Sequence, residues 1–271
     1  MQTLTEIRAL LAAYGLRPKH RFGQNFLHDA NKIRQIIAAA DVQPGDRVLE
    51  VGPGTGTLSI ALLEAEANLL AVEVDRDLEP ILQQVLEPWR DRARLLIADI
   101  LAGKSRINPQ VLEALGPGPF KLIANLPYNV ASPLLANLAL DHPDMRLAVV
   151  MIQREVGDRL TAQPGSRDYG PLGILIQAMC HVDIVTTLPP ACFWPQPKVD
   201  SVVVRLTRRD QPLTDQPHRL AELVQRLFQK RRKQIGAILG RDRALPEGID
   251  PASRPEQLAV EQLILLSDWI C

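Results

Sequence analysis

Leu49-Glu-Val-Gly-Pro-Gly-Thr-Gly56 carries a short apolar run, begun near residue 46, into closely spaced glycines. Helical periodicity resumes from about Thr57. Glycine lets a backbone turn tightly and lets a ligand come close to it. Strand, glycine turn and helix in that order open a nucleoside-binding α/β unit.

The chain downstream keeps this rhythm. Strand patterns fall at residues 69–74, 94–98, 120–124 and 147–152, and helical ones at 77–87, 133–140 and 154–161. Regular alternation predicts a mostly parallel sheet covered on both faces. After Pro171 the pattern changes. A helix at 172–180 leads into two β-rich runs, 182–188 and 201–206, separated by the proline-rich segment 189–197. Prolines bar that segment from a central strand, so the two runs are expected to pair antiparallel and close a seven-stranded sheet. From about Arg208 the chain turns polar and then reads as purely helical to Ile270. This places a boundary between residues 1–208 and a small helical unit, 209–271. Upstream, residues 3–14 and 30–40 read as helices, with a basic loop between them that follows neither period.

No apolar run approaches the roughly 20 residues of a membrane span. The first residues, with Glu6 and Arg8, lack the apolar core of a signal peptide. Cys180, Cys192 and Cys271 are odd in number and share no metal-ligand spacing, so reduced thiols, no metal and a cytoplasmic setting are expected. Net charge is zero but segregated. Residues 1–40 hold six bases against Glu6 and Asp29, residues 41–100 hold twelve acids against five bases, and residues 225–243 hold seven bases against Asp242. A polyanion outside an acidic pocket fits that layout, as do solvated helix faces for any one cluster.

Glu73 closes the second strand, 21 residues after Gly52, where an acid takes the hydroxyls of a ribose. The dinucleotide fingerprint needs a third glycine where Thr57 stands, so it fails. A compact glycine turn without pyrophosphate chemistry, among Glu50, Glu73, Asp75 and Asp99, suits a cationic cofactor such as S-adenosylmethionine. Asp99, at the end of the third strand, can accept from an adenine amino group or cap a helix.

Asn125-Leu-Pro-Tyr128 directly follows the fourth strand. An exocyclic adenine N6 is a poor nucleophile because its lone pair is delocalised into the ring. Two acceptors on its N–H groups, the Asn125 side-chain oxygen and the Leu126 carbonyl, can localise that pair. Pro127 stiffens the turn, and Tyr128 offers a face for a base to stack on. Phe193, on the proline-rich segment, either clamps the base as well or anchors the core. Lys230-Arg-Arg-Lys233 reads as the basic face of a packed helix, suited to RNA phosphates or simply solvated.

Together with Phe22-Gly-Gln-Asn-Phe-Leu27, Gln153-Arg-Glu-Val156, Tyr169-Gly170 and Pro195-Gln-Pro-Lys-Val-Asp-Ser201, these motifs resemble the ribosomal RNA adenine dimethyltransferase family, in its bacterial small-subunit branch. The similarity runs from about Arg17 to Gly240. It implies a Rossmann-like methyltransferase fold with a C-terminal RNA-binding helical domain. It further implies N6,N6-dimethylation of two adjacent adenosines in the 3′-terminal hairpin loop of 16S rRNA, in an immature 30S particle, by a monomer. Asn25 and Leu27 would lie over the methionine end of the cofactor and Gly52 beneath it. Glu73 would bind its ribose and Asp99 its adenine, and Asn125 would bridge cofactor and base. His28, Thr55 and Trp194 depart from the family pattern.

Overall fold

A computed structural model describes residues 1–103, 106–240 and 243–270. Cys271, Arg241 and Asp242, which entered the cysteine and charge readings above, lie outside the described residues.

The chain begins with α1 (Leu4–Ala13), β1 (Phe26–Leu27) and α2 (Ala30–Ala40). Then come β2 (Arg47–Val51), α3 (Thr57–Glu64), β3 (Asn68–Glu73), α4 (Glu79–Leu86) and β4 (Ala93–Ile97). A small hairpin of β5 (Leu101–Ala102) and β6 (Arg106–Ile107) precedes α5 (Pro109–Leu115). Next are β7 (Phe120–Asn125), α6 (Tyr128–Asp141), β8 (Met145–Gln153), α7 (Arg154–Thr161) and α8 (Pro171–Met179). The chain finishes with β9 (Cys180–Leu188), β10 (Phe193–Trp194), β11 (Ser201–Arg208), α9 (Pro217–Phe228), α10 (Ile235–Leu239) and α11 (Val260–Trp269).

Seven strands form one sheet in the order β4-β3-β2-β7-β8-β11-β9. All neighbours from β4 to β8 are parallel. β11 pairs antiparallel with both β8 and β9, the expected closing pair. The order reverses direction between β2 and β7, so a crevice opens at their carboxyl ends, where ligands bind in such sheets. The glycine turn after β2 and the Asn-Leu-Pro-Tyr turn after β7 meet there.

Local chemistry sets the helix starts. Thr3 and Glu6 form a reciprocal capping box on α1, and Asp29 accepts from the Asn31 and Lys32 amides to start α2. Val48, Leu49, Glu50 and Val51 are all buried, as expected for a strand covered on both faces. One face of the sheet packs on α2 and α3 through Ile33, Ile36, Leu62 and Leu63. The other packs on α6 and α8. α9 buries Leu220, Leu223, Val224 and Leu227, a helical stripe that joins this second core directly.

Three expectations need correction. The helix read at 133–140 begins at Tyr128 and runs through Pro133, because the Asn-Leu-Pro turn itself launches it. The tail is not purely helical: between Leu239 and Val260 it contains a single 3-10 turn, Pro255–Gln257, among the described residues. Lys230–Lys233 is not a helix face. Those residues form the turn between α9 and α10. Among the described residues no helix is long and apolar enough to cross a membrane.

Candidate active site

The crevice is a cleft of about 980 Å³, counted to its open mouth. Every residue singled out for cofactor or base lines it: Asn25, Leu27, Gly52, Glu73, Asp99, Asn125, Leu126, Tyr128 and Phe193.

Gly52, Gly54 and Gly56 all have positive φ, at 71°, 61° and 86°, a region side chains rarely adopt. A Cβ on Gly54 would also sit 2.9 Å from the Phe26 ring. The turn is therefore a backbone cradle closed on one side by the N-terminal segment. Phe26 in turn stacks on Trp194 at 6.3 Å, and the Arg8 guanidinium lies 5.1 Å from the Trp194 ring. Trp194, one of the departures from the family pattern, thus braces α1 against the cradle.

Glu73 is 4% exposed. Its Oε1 accepts from the Asp75 amide at 2.8 Å and its Oε2 from the Gly54 amide at 3.3 Å. Each oxygen keeps a lone pair for a ribose hydroxyl. Glu50 is 1% exposed and takes a 2.6 Å bond from Ser59 Oγ. Burial pushes Glu50 up to about 8 and also raises Glu73. Among the described residues neither acid has an ion-pair partner. The Thr55 hydroxyl is buried beside them without a hydrogen-bond partner. Buried acids without a counter-cation, an orphaned hydroxyl and a bare-backbone cradle fit a cationic nucleoside cofactor. S-adenosylmethionine meets each of those features.

Asp99 Oδ1 accepts from the Leu101 amide at 2.9 Å, which turns the chain into the β5–β6 hairpin. No helix starts there, so the helix-cap reading is corrected to a turn into β5; Asp99 also lines the cleft.

The N-terminal loop is tied over the cleft by residues to which the motif reading gave no separate role. Lys19 Nζ reaches Asp75 Oδ1 at 2.6 Å, and Gln24 Nε2 reaches Asp75 Oδ2 at 2.8 Å. Gln2 grips the glycine turn, donating to the Thr55 carbonyl at 2.8 Å and accepting from Thr57 Oγ1 at 2.9 Å. Gln24 stands inside the quoted Phe22–Leu27 motif, which was its only signal; Lys19 and Gln2 have none.

Asn125 Nδ2 donates to the Asn25 carbonyl at 2.9 Å. That bond uses the amide nitrogen and leaves Oδ1 as the acceptor available to a ligand. The next amide, Leu126 N–H, donates to the Met151 carbonyl at 3.1 Å, which pins the turn to β8. Among the described residues the Leu126 carbonyl oxygen receives no hydrogen bond. Two acceptors therefore remain on consecutive residues, with half-buried Tyr128 beginning α6 beside them. Phe193 is 2% exposed, packed with Leu27, Leu188 and Val203, yet also lines the cleft. It is a core anchor that also borders the site. Cys180 and Cys192 are free thiols.

Residues 15–271 match the family model described as "Ribosomal RNA adenine dimethylase". The chain is 40% identical to "Ribosomal RNA small subunit methyltransferase A" of Nocardia farcinica, over 97% of this chain and 93% of that protein. The protein of the same name in Mycobacterium bovis is 38% identical, over 97% of this chain and 86% of the relative. Among solved structures, a dimethyladenosine transferase from Plasmodium falciparum superposes with a TM-score of 0.73 at 25% identity, covering 89% of this chain and 95% of that one. The 23S rRNA methyltransferase ErmE superposes with a TM-score of 0.69 at 26% identity, covering 90% and 98%.

Proposed function

The chain belongs to the ribosomal RNA adenine dimethylase family, and from that premise we propose that it methylates N6 of two adjacent adenosines in the 3′-terminal hairpin loop of 16S rRNA, within immature 30S particles. The product is N6,N6-dimethyladenosine. The enzyme acts as a cytoplasmic monomer, and its helical segment from residue 209 onward contributes to RNA binding.

One observation carries the chemical part: the pairing of a fixed Asn125 oxygen with an unbonded Leu126 carbonyl at the mouth of the cofactor cradle. Bound in that cradle, S-adenosylmethionine supplies an electrophilic methyl group. The chain's residues do the rest. Asn125 Oδ1 and the Leu126 oxygen accept from the two N6–H groups and pull the nitrogen towards tetrahedral geometry, which frees its lone pair for attack. Tyr128 stacks on the flipped ring, with Phe193 beside it. Once the methyl is in place, the N6 proton is acidic and leaves to water. After one methylation a single N–H remains, so one acceptor still aligns the nitrogen while the Leu-Pro turn leaves room for the methyl.

Mass spectrometry of rRNA from undermethylated 30S, 50S and free-RNA substrates tests this reading. N6,N6-dimethyladenosine is expected in the 30S reaction alone, with monomethyl species transient. Accumulation of N6-monomethyladenosine would sink the pocket argument. Modification of 50S instead would move the substrate to that of ErmE-type enzymes.

A further inference from the structure

The basic run 230–233 is not uniform. Lys230, Arg232 and Lys233 are exposed, and among the described residues their side chains make no bond. Arg231 is different: its side chain is 35% exposed, and two of its three guanidinium nitrogens are bonded within the fold. Nε pairs with Glu256 Oε2, and Nη2 donates to the Ser166 carbonyl at 3.1 Å and the Arg167 carbonyl at 2.9 Å. The same three segments are tied again close by. Gly165 N–H donates to the Glu256 carbonyl at 2.6 Å, and the Tyr169 hydroxyl donates to the Leu258 carbonyl at 2.9 Å. The Tyr169 ring meets Phe228 edge-on at 6.2 Å, just before the turn. Arg231 is thus the side chain that joins the basic turn to the 163–168 loop of the methyltransferase half and to the Pro255–Gln257 turn. Three of its five N–H donors are used and its charge is neutralised by Glu256, so a phosphate could take a fork-like bidentate contact only by displacing those bonds, and Nη1 alone is left to solvent.

We propose that Arg231 is a positioning residue, a strut that aims Lys230, Arg232 and Lys233 at the RNA while making no phosphate contact itself. This rests on the reading above that the helical segment binds RNA. It divides a run that the sequence alone presents as four equivalent cations.

Glu256 supplies the discriminating experiment. If Arg231 touched phosphate, Glu256→Gln would release it from a competing acid and tighten RNA binding. If Arg231 is a strut, Glu256→Gln weakens binding as Arg231→Gln does, and the double variant is no worse than either single one. Binding to undermethylated 30S subunits is measured from 50 to 200 mM salt. The triple variant Lys230→Gln/Arg232→Gln/Lys233→Gln is expected to flatten the log–log salt slope by about 0.7–0.9 per lost contact. Arg231→Gln and Glu256→Gln are expected to lower affinity several-fold with the parent slope retained, and Arg231→Lys to restore only part of it. S-adenosylmethionine affinity, unchanged in every variant, certifies that the sheet is folded. A flattened triple slope with Glu256→Gln binding as tightly as the parent, or tighter, overturns the strut alone. An unchanged triple slope overturns the RNA-contact reading of the run, and the strut with it.

Discussion

At the carboxyl ends of β2 and β3 the charged groups are sealed in: Glu50 and Glu73 are 1% and 4% exposed, and both carry bonds from within the fold. At the turn after α9 the charged groups stand in water, where Lys230, Arg232 and Lys233 are exposed. If they bind cofactor and RNA as proposed, the two regions do so by different physics. A buried, preorganised acid gains from low dielectric and from not having to reorganise, and salt screens it little. Exposed cations gain from releasing counterions along a polyanion, and salt erodes that gain steeply. Under the proposed function, specificity for a small cofactor would therefore belong inside the sheet and affinity for a large RNA on the exposed turn.

The largest expected effect falls between these regions. Asn125→Ala removes the fixed acceptor and should lower kcat by at least about 10²–10³-fold, the usual cost of one preorganised hydrogen-bonding partner at a reacting centre. Cofactor affinity should change by no more than the about 0.5–1.5 kcal/mol of the lost bond to Asn25. Single-turnover rates alongside calorimetric titration separate the two, and a variant that turns over at the parent rate would falsify the acceptor role.

Next in size is the ribose acid. Glu73→Ala should cost about 1.5–3 kcal/mol of cofactor binding, the worth of a hydrogen bond to a charged group. Titrations in low and high salt should give nearly the same deficit, in contrast to RNA binding. If affinity proves unaltered, the acid serves only to hold the Asp75 and Gly54 amides.

The last effect is on stability, and it is small only near the acid end of the range. Glu50 has its folded value raised to about 8 from 4.5, so its contribution is complete below 4.5 and is lost as pH climbs through 8. Glu50→Gln imitates the protonated acid at all pH values. Relative to the parent, it should therefore gain stability between about pH 5 and 8, by at most about 1.4 kcal/mol per unit, and then level off. Melting both proteins across that range without cofactor checks it; a constant difference would mean that Glu50 is ionised throughout.

Much of this architecture was legible in the chain because it rests on local chemistry. Alternating apolar runs are read at the scale of one element, and each parallel strand from β2 to β8 falls within two residues of its pattern. Gly52, Gly54 and Gly56 announce a turn that needs positive φ. Asn125-Leu-Pro-Tyr128 announces a turn off a strand end. The β5–β6 hairpin was not legible, since two-residue strands carry no period. Nor was the break after α9, where Lys and Arg suit a helix as well as a turn.

The sequence by itself determined the sheet, the glycine turn after β2 and the place of Asn125 at a strand end, because backbone conformation and side-chain chemistry travel with the residue. Only the tertiary structure decided which end of the Asn125 amide is left free, since its nitrogen is taken by a carbonyl 100 residues away. It also decided that Phe193 is a buried core residue that lines the cleft, and that one of four neighbouring cations spans to Glu256, 25 residues on, and to the Ser166 carbonyl, 65 residues back. Such assignments depend on which groups the fold brings within about 3 Å of one another, and a hydrogen bond is too short-ranged and too directional for composition or spacing to foretell.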